Sequence, residues 1–407
     1  MRWRFTIHSG SLELACTMNT TASPNPVITQ LGRRLRLALI GGGPGSFIGP
    51  QHRLAARADD RFEIVAGALC SDPRASVQAG LALGLEPTRC YPDAMTLLAT
   101  ESTRADGADA VAIMTPNHLH HPQAMAALER GFDVICDKPM TNTLTEAEAL
   151  CAQVRATGRV FCLTHNYSGY PLVRQARAMV ADGQLGDIRL VQVEHVQGGR
   201  ARPGPGRTAW KSDPARGGAS LVLGDIGTHA HHLLRYITGL EVAEVAAEVG
   251  CAVPDRSAHD VAGALLRLAN GARGSFWVTQ AAAGVENGLR IRVSGALGTL
   301  EWAQELPQQL LFKPLDQPAQ WRTPRGPGTL ALAQRASRVA AGHPEGFHEA
   351  LANLYADAAE AMAARRSGQP ADPLALHFPT EHDGWMGLRF IDAMLRSSQS
   401  GGAWTRA

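Results

Sequence analysis

Lys138 closes a short apolar run, Phe132-Asp133-Val134-Ile135-Cys136, and sits between Asp137 and Pro139. Such a run reads as a buried strand. In an open parallel sheet, ligands bind in the crevice beyond the carboxyl ends of the strands. An ammonium there can hydrogen-bond a substrate hydroxyl, and burial beside a second cation would depress its pKa. Lysines in turns are often only solvated charges, but the strongly apolar strand before this one favours the chemical role. Asp225 and His229 are four residues apart and share one face if helical. Imidazole is the usual acid/base group, and a nearby carboxylate can orient it or bind substrate. Alone, the pair reads equally as a helix cap and a core histidine; with Lys138 it reads as a site of proton transfer.

These residues need a scaffold, and the chain offers one. Residues 35–40 read as a first strand leading into the Gly-rich turn Gly41-Gly42-Gly43-Pro44-Gly45-Ser46-Phe47-Ile48-Gly49, after which a helix opens. Glycines in this context let the backbone approach a pyrophosphate and set it at a helix N-terminus. The spacing departs from GxGxxG: with Gly41 and Gly43 as the first two glycines, the third slot is Ser46 or, three residues later than usual, Gly49. The second strand, 62–69, runs into Cys70-Ser71-Asp72-Pro73-Arg74. Asp72 falls late for a ribose diol, whereas Ser71 and Arg74 suit a 2′-phosphate, so both NAD and NADP are open as cofactors. Further strands at 109–114, 134–136 and 160–164 alternate with helices at 122–130 and 143–157, the pattern of a parallel sheet. The third strand ends in Thr115-Pro116-Asn117.

After residue 165 the texture changes. Residues 187–196, 241–252, 260–269, 273–281, 288–294 and 298–302 read as strands without intervening helices, hence a largely antiparallel sheet. Residues 198–218 and 314–344 read as long loops, and 346–366 and 380–397 as amphipathic helices. The fold class is therefore α/β: a dinucleotide-binding domain at 33–164 and a second α/β domain with an open, mainly antiparallel sheet at 165–407. Residues 1–32 read as a disordered tail, and Met18 offers an alternative start. Arg33-Arg34 before Leu35 mimics a twin-arginine export signal, but the apolar run that follows leads straight into the Gly-rich turn and is the first strand.

Composition narrows the function classes. The chain has 407 residues, 45% hydrophobic and 19% charged, with a net charge of +2. This suits a soluble two-domain enzyme and argues against nucleic acid as a partner. No apolar stretch is long enough to span a membrane. The seven cysteines are scattered, which points to reduced thiols and a cytoplasmic location. The clusters His118-Leu119-His120-His121 and His229-Ala230-His231-His232 lack metal-ligand spacing, and no metal is expected.

Together these residues resemble the glucose–fructose oxidoreductase / inositol dehydrogenase (Gfo/Idh/MocA) family over nearly all of residues 35–400. Thr115-Pro116-Asn117 with His120 is similar to its TPNxxH motif, Asp137-Lys138-Pro139 to its EKP motif with Asp for Glu, and Asp225 with His229 to its DxxxH helix. A narrower resemblance is to a subgroup with GGGxGSFIGxxHR, THNYxGYPxVRQAR and GHPEG segments, here Gly41–Arg53, Thr164–Arg177 and Gly342–Gly346. The resemblance implies a dehydrogenase in which His229 accepts the hydroxyl proton, Lys138 positions that hydroxyl and Asp225 holds a neighbouring one. It implies that Asn117, Asp137 and Pro139 line the nicotinamide ribose, and that Gly41, Gly43, Ser46, Phe47, Ile48, Ser71, Arg74, Thr115, Pro116 and His120 belong to the cofactor site. It further implies a homodimer or homotetramer built on the open sheet face. Asn166, Tyr167, Trp210, Lys211, His343 and Glu345 are candidates for selecting a polyol or sugar. The expected reaction is metal-free NAD(P)-dependent oxidation of a secondary alcohol of a sugar, sugar derivative or cyclitol. The alternatives are oxidation at the 3-position of a glycoside ring and a non-catalytic Rossmann-fold regulator.

Overall fold

Five apolar runs pair in parallel: β1 (Leu35–Gly41), β2 (Phe62–Ala68), β3 (Ala110–Met114), β4 (Asp133–Cys136) and β5 (Phe161–Leu163), in the order β2-β1-β3-β4-β5. The computed structural model describes residues 25–203, 210 and 213–407. Every residue of β3, β4 and β5 is buried, as a sheet covered on both faces requires. The covering helices of this half are α1 (Pro26–Leu31), α2 (Ile48–Ala58), α3 (Pro73–Ala82), α4 (Ala94–Glu101), α5 (His120–Glu129) and α6 (Leu144–Thr157). Asp72, Asp93 and Thr143 cap the N-termini of α3, α4 and α6 by accepting amide hydrogens. The expected tail is shorter than residues 1–32: Asn25 caps α1, whose Val27 is buried in the core, because a side-chain acceptor followed by Pro26 is a helix start. The rest of that tail, residues 1–24, lies outside the described residues.

The second half contributes α7 (Pro171–Ala181), β6 (Ile188–Val196), α8 (Pro214–Gly217), α9 (Thr228–Thr238), β7 (Val242–Gly250), β8 (Val261–Leu268), β9 (Arg273–Thr279), β10 (Gly288–Gly295), β11 (Gly298–Ala303), β12 (Leu310–Pro314) and β13 (Gln320–Arg322). Then come α10 (Ala331–Arg335), α11 (Phe347–Ser367), α12 (Glu381–Gln399) and β14 (Thr405–Arg406). The nine strands lie in the order β13-β12-β11-β10-β6-β9-β8-β7-β14, antiparallel except where β6 meets β9. Alternation sets its two faces. Val191, Val193, Phe276, Val278, Ile291 and Val293 turn inward under the helices, while Leu265, Trp277 and Trp321 are exposed.

Two expectations change. The stretch 314–344 holds β13 and α10 rather than a bare loop. The helix expected to be amphipathic from Gly346 is buried all round from Ala350 to Ala364. Its alanine-rich middle lets it fit between layers. Leu351, Leu354, Tyr355, Ala358 and Met362 pack with Leu35, Ala55 and Ala110 of the first half, so α11 completes the dinucleotide-domain core although it lies far beyond residue 164. Its carboxylates are paired. Asp357 Oδ2 accepts from Arg174 Nη2 at 2.7 Å and its Oδ1 from Arg335 Nε at 3.1 Å. Glu360 engages Arg61 through one oxygen and Arg335 through the other.

Candidate active site

The Gly-rich turn is built for close backbone approach. Gly41 and Gly42 have φ of 80° and 72°, which favours glycine. A Cβ at Gly49 would lie 2.0 Å from the Gly42 carbonyl oxygen, so Gly49, rather than Ser46, is the glycine that packs α2 onto the strand end. Ser46 instead accepts the Gly49 amide through Oγ at 3.1 Å and starts the helix. Arg53 locks the turn by donating to the Gly42 carbonyl at 2.8 Å. Phe47 is exposed, and Ile48 is half-buried. At the end of β2, Ser71 and Arg74 are exposed, while Asp72 spends an oxygen on the Ala75 amide at 2.7 Å.

Lys138 follows β4, and its peptide bond to Pro139 is cis. Its Nζ lies 3.1 Å from Asp225 Oδ1 and also donates to the Asp225 carbonyl. Gln280 Nε2 donates to Asp225 Oδ2 at 2.9 Å. Asp225 sits in a widened π-helical turn, Leu223–Gly227, that runs into α9 at Thr228. Such turns often mark functional sites, and this one takes the place of the regular helix the spacing predicts. His229, in the first turn of α9, is nearly buried. Its Nδ1 makes a long 3.5 Å contact with His165 Nδ1, and its Nε2 has no hydrogen-bond partner among the described residues.

Electrostatics follow from this packing. Burial drives His229 well below the ordinary histidine range, and the Lys138 charge adds to that. His229 is therefore neutral at pH 7 and can accept a proton. Burial also works against the Lys138 charge, but Asp225 and Asp137 outweigh it, and its pKa ends above the usual lysine value. The depression expected beside a second cation concerns the loaded site; with Asp225 and Asp137 alone the balance lies the other way. Around His229 the rings are tightly set: Tyr167 stands edge-on at 4.8 Å, and His165 stacks on His232 at 4.6 Å.

The remaining sequence candidates separate. Asn117 donates to the Gly217 carbonyl at 3.1 Å, tying the turn after β3 to α8. Thr115 bonds Gln123 at 2.7 Å. His120 is buried, with Nδ1 2.8 Å from the Pro139 carbonyl and Nε2 2.8 Å from the Thr115 carbonyl, so it braces the two turns against each other. Asp137 accepts from the Lys138 amide and the Thr164 hydroxyl, both at 3.0 Å. Asn166 is buried with an unpartnered Nδ2, and Tyr167 accepts from Asn287 at 3.1 Å. Trp210 is half-buried, and Lys211 lies outside the described residues. His343 is exposed and bonds the nearby Ala340 carbonyl. Glu345 braces its loop by accepting the Arg338 and Val339 amides on Oε1, while its buried Oε2 has no partner among the described residues.

Sequence reasoning missed Gln280, Asn287, His165 and His195. His195 lies on β6, 2.8 Å from Asn287 Oδ1 and 3.2 Å from the Ile226 carbonyl. These residues come from separate strand ends, and of the four only His165 falls within a quoted motif, the Thr164–Arg177 segment. The nearest signal was the polar texture of Thr164-His165-Asn166-Tyr167 after an apolar strand. Among the described residues, no group of three or more His, Cys, Asp or Glu side chains is arranged to hold a metal ion.

Comparison with known proteins adds a second line. Residues 35–165 match the oxidoreductase family with an NAD-binding Rossmann fold, and residues 173–301 match the GFO/IDH/MocA C-terminal domain. An uncharacterized oxidoreductase of Bacillus subtilis strain 168, YfiI, is 33% identical over 92% of this chain and 97% of its own. The crystal structure of an inositol dehydrogenase homolog from Azotobacter vinelandii, complexed with NADH and myo-inositol, is 38% identical with a TM-score of 0.87, covering 93% of this chain and 99% of that one. A levoglucosan dehydrogenase of Pseudarthrobacter phenanthrenivorans is 28% identical over 68% of this chain and 76% of its own.

Proposed function

The chain belongs to the Gfo/Idh/MocA family of oxidoreductases, and from that premise we propose that it is an NAD(P)-dependent dehydrogenase of a secondary alcohol on a cyclitol or sugar. One observation carries this reading: the Lys138 ammonium held 3.1 Å from Asp225, beside a neutral His229 whose Nε2 is unengaged. The relatives named for inositol and levoglucosan support the substrate class.

The dinucleotide fits the residues present. The left-handed glycines and the tight seat of Gly49 at the start of α2 form a pyrophosphate cradle. At Gly45 a Cβ would meet nothing within 4 Å, so the rim of the turn is open. Gly41, Gly43, Ser46 and Ile48 would border the phosphates, and Asp137, Asn117 and Pro139 the nicotinamide ribose. When bound, the cofactor supplies the hydride acceptor. His229 takes the hydroxyl proton on Nε2, which requires its own hydrogen on Nδ1, donated toward His165. Lys138 donates to the reacting oxygen and stabilises its developing negative charge. Asp225, fixed by Lys138 and Gln280, accepts a hydrogen bond from an adjacent hydroxyl, which suits vicinal diols.

The test is cofactor reduction followed by nicotinamide absorbance, with a panel of inositols, aldoses, anhydrosugars and glycosides. Turnover of one of them, lost in His229→Ala, is the expected outcome. Tight dinucleotide binding with no turnover anywhere would favour a non-catalytic role. Titrating NAD and NADP against Arg74→Ala decides the cofactor: NADP weakened and NAD unchanged would assign Arg74 to a 2′-phosphate.

We propose a homodimer or homotetramer through the open sheet face. There, Arg290, Glu194 and Trp277 run in one cross-strand row and Arg292, Gln192, Ser275 and Leu265 in the next, beside a hollow of about 550 Å³. Light scattering of Trp277→Asp should show a smaller mass than the wild type. The described cysteines are free thiols, four of them buried, which supports a cytoplasmic setting. No described helix is long and apolar enough to cross a membrane.

A further inference from the structure

One buried group on α2 has no part in this chemistry. His52 lies in the second turn of that helix with no solvent exposure. Its Nδ1 is 2.7 Å from the Tyr355 hydroxyl on α11. Its Nε2 has no hydrogen-bond partner among the described residues and faces Asp137 Oδ1 at 4.0 Å. That distance is about 1 Å beyond a hydrogen bond. A buried ring nitrogen left without a partner carries a desolvation cost that packing alone does not explain.

The protons can be placed by elimination. Burial keeps the imidazole neutral, with its pKa brought down to about 4 despite the opposing charge of Asp137. Burial also holds the Tyr355 hydroxyl protonated, well above the usual tyrosine value. A neutral ring carries one N–H. With the hydrogen on Nδ1, a lone pair on Nε2 would face a carboxylate, and the Tyr355 proton would lack an acceptor among the described residues. With the hydrogen on Nε2, Tyr355 donates to Nδ1 and the ring N–H points at Asp137. Only the second arrangement suits all three groups.

We propose that His52 is a positioning residue: with Tyr355 behind it, its Nε2–H fixes the Asp137 carboxylate for contact with the bound dinucleotide. This rests on the reading of Asp137 as a cofactor contact. The same oxygen accepts from the Lys138 amide and the Thr164 hydroxyl at 3.0 Å each, so His52 adds a longer third contact to an oxygen already held on two sides. The relay ties three separate elements to the cofactor: the helix of the Gly-rich turn, the turn after β4, and α11 from the far end of the chain.

The substitutions His52→Asn and His52→Gln separate this role from packing. Asparagine places its amide where Nδ1 stood and can reach Tyr355 alone. Glutamine carries a donor to the place of Nε2 and can reach Asp137. The measurements are NAD affinity by isothermal titration, steady-state kcat and KM, and thermal melting. Losing the contact should weaken NAD binding about tenfold in His52→Asn, with kcat nearly unchanged, and His52→Gln should recover most of it. Equal NAD affinity in wild type and His52→Asn, or equal damage in both variants tracking a lower melting temperature, would overturn the proposal. If neither variant folds, Tyr355→Phe with Asp137→Asn in a double-mutant cycle replaces them. Additive effects on NAD binding would then overturn it, and coupling would support it. Asp137→Asn also separates the two readings: unchanged NAD affinity there sinks the cofactor role of Asp137 itself. A weakened Asp137→Asn beside a normal His52→Asn sinks only the relay.

Discussion

Two polar clusters in the interior are built on opposite rules. Along α11, Asp357 and Glu360 turn all four oxygens onto Arg174, Arg335 and Arg61. Around the turn after β4, Lys138 and Asp225 are also paired, yet His229 Nε2 and Asn166 Nδ2 are left without partners among the described residues. Carboxylates satisfied within the chain bind the fold together. Polar atoms that the chain itself leaves unsatisfied are what a ligand can use.

The largest test of this contrast is to exchange its consequences. His229→Ala and Lys138→Ala should each lower kcat/KM by about 10³-fold, with melting temperature nearly unchanged, because general acid/base groups contribute on that scale. Asp357→Ala should do the reverse. It leaves the Arg174 guanidinium, which has no exposure, with an uncompensated charge. The expected loss is about 3–5 kcal/mol of stability by urea titration, with normal turnover per folded molecule. Similar catalytic damage in both would erase the distinction.

Acid should find the unsatisfied cluster next. Burial lowers His52 and His232 to about 4, and His165, His229 and His231 well below the ordinary 6.5. These rings are neutral when folded and take up protons on unfolding. Their contribution is complete above pH 6.5 and is lost as pH falls toward 4, on the order of 3 kcal/mol for a shift like that of His52. Urea midpoints at pH 7.5, 6 and 5 should fall in that order, and a flat profile would contradict the buried neutral state. The smallest effect sharpens the contrast within the site. Gln280→Leu removes one neutral donor from Asp225 and should reduce kcat/KM about tenfold, with KM for substrate carrying most of the change.

Legibility in the sequence divided along similar lines. The places of Lys138 beyond a buried strand and of His229 on a helix were readable because each follows a local signal, an apolar run in one case and an i, i+4 pairing in the other. The parallel sheet was readable for the same reason: its strands are continuous apolar runs. Gln280, Asn287 and His195 were not, because the nine-stranded sheet brings them together from β6 and the ends of β9 and β10, and no spacing records a register. For His343 and Glu345 the polar texture of the loop does not tell a side chain that faces a ligand from one that braces its own backbone. The widened turn at Asp225 was hidden too, since residues four apart suggest an ordinary helix and nothing in Gly224-Asp225-Ile226-Gly227 announces the extra width.

The return of α11 bears on how such a chain can be recombined. A chimera that joins residues up to 164 to a foreign second domain would discard Leu351, Leu354, Tyr355 and Met362, and with them one wall of the nucleotide half. Neither half is a portable module. New substrate specificity is better sought by changing strand-end residues such as Gln280 and Asn287 in place than by exchanging domains at the apparent junction.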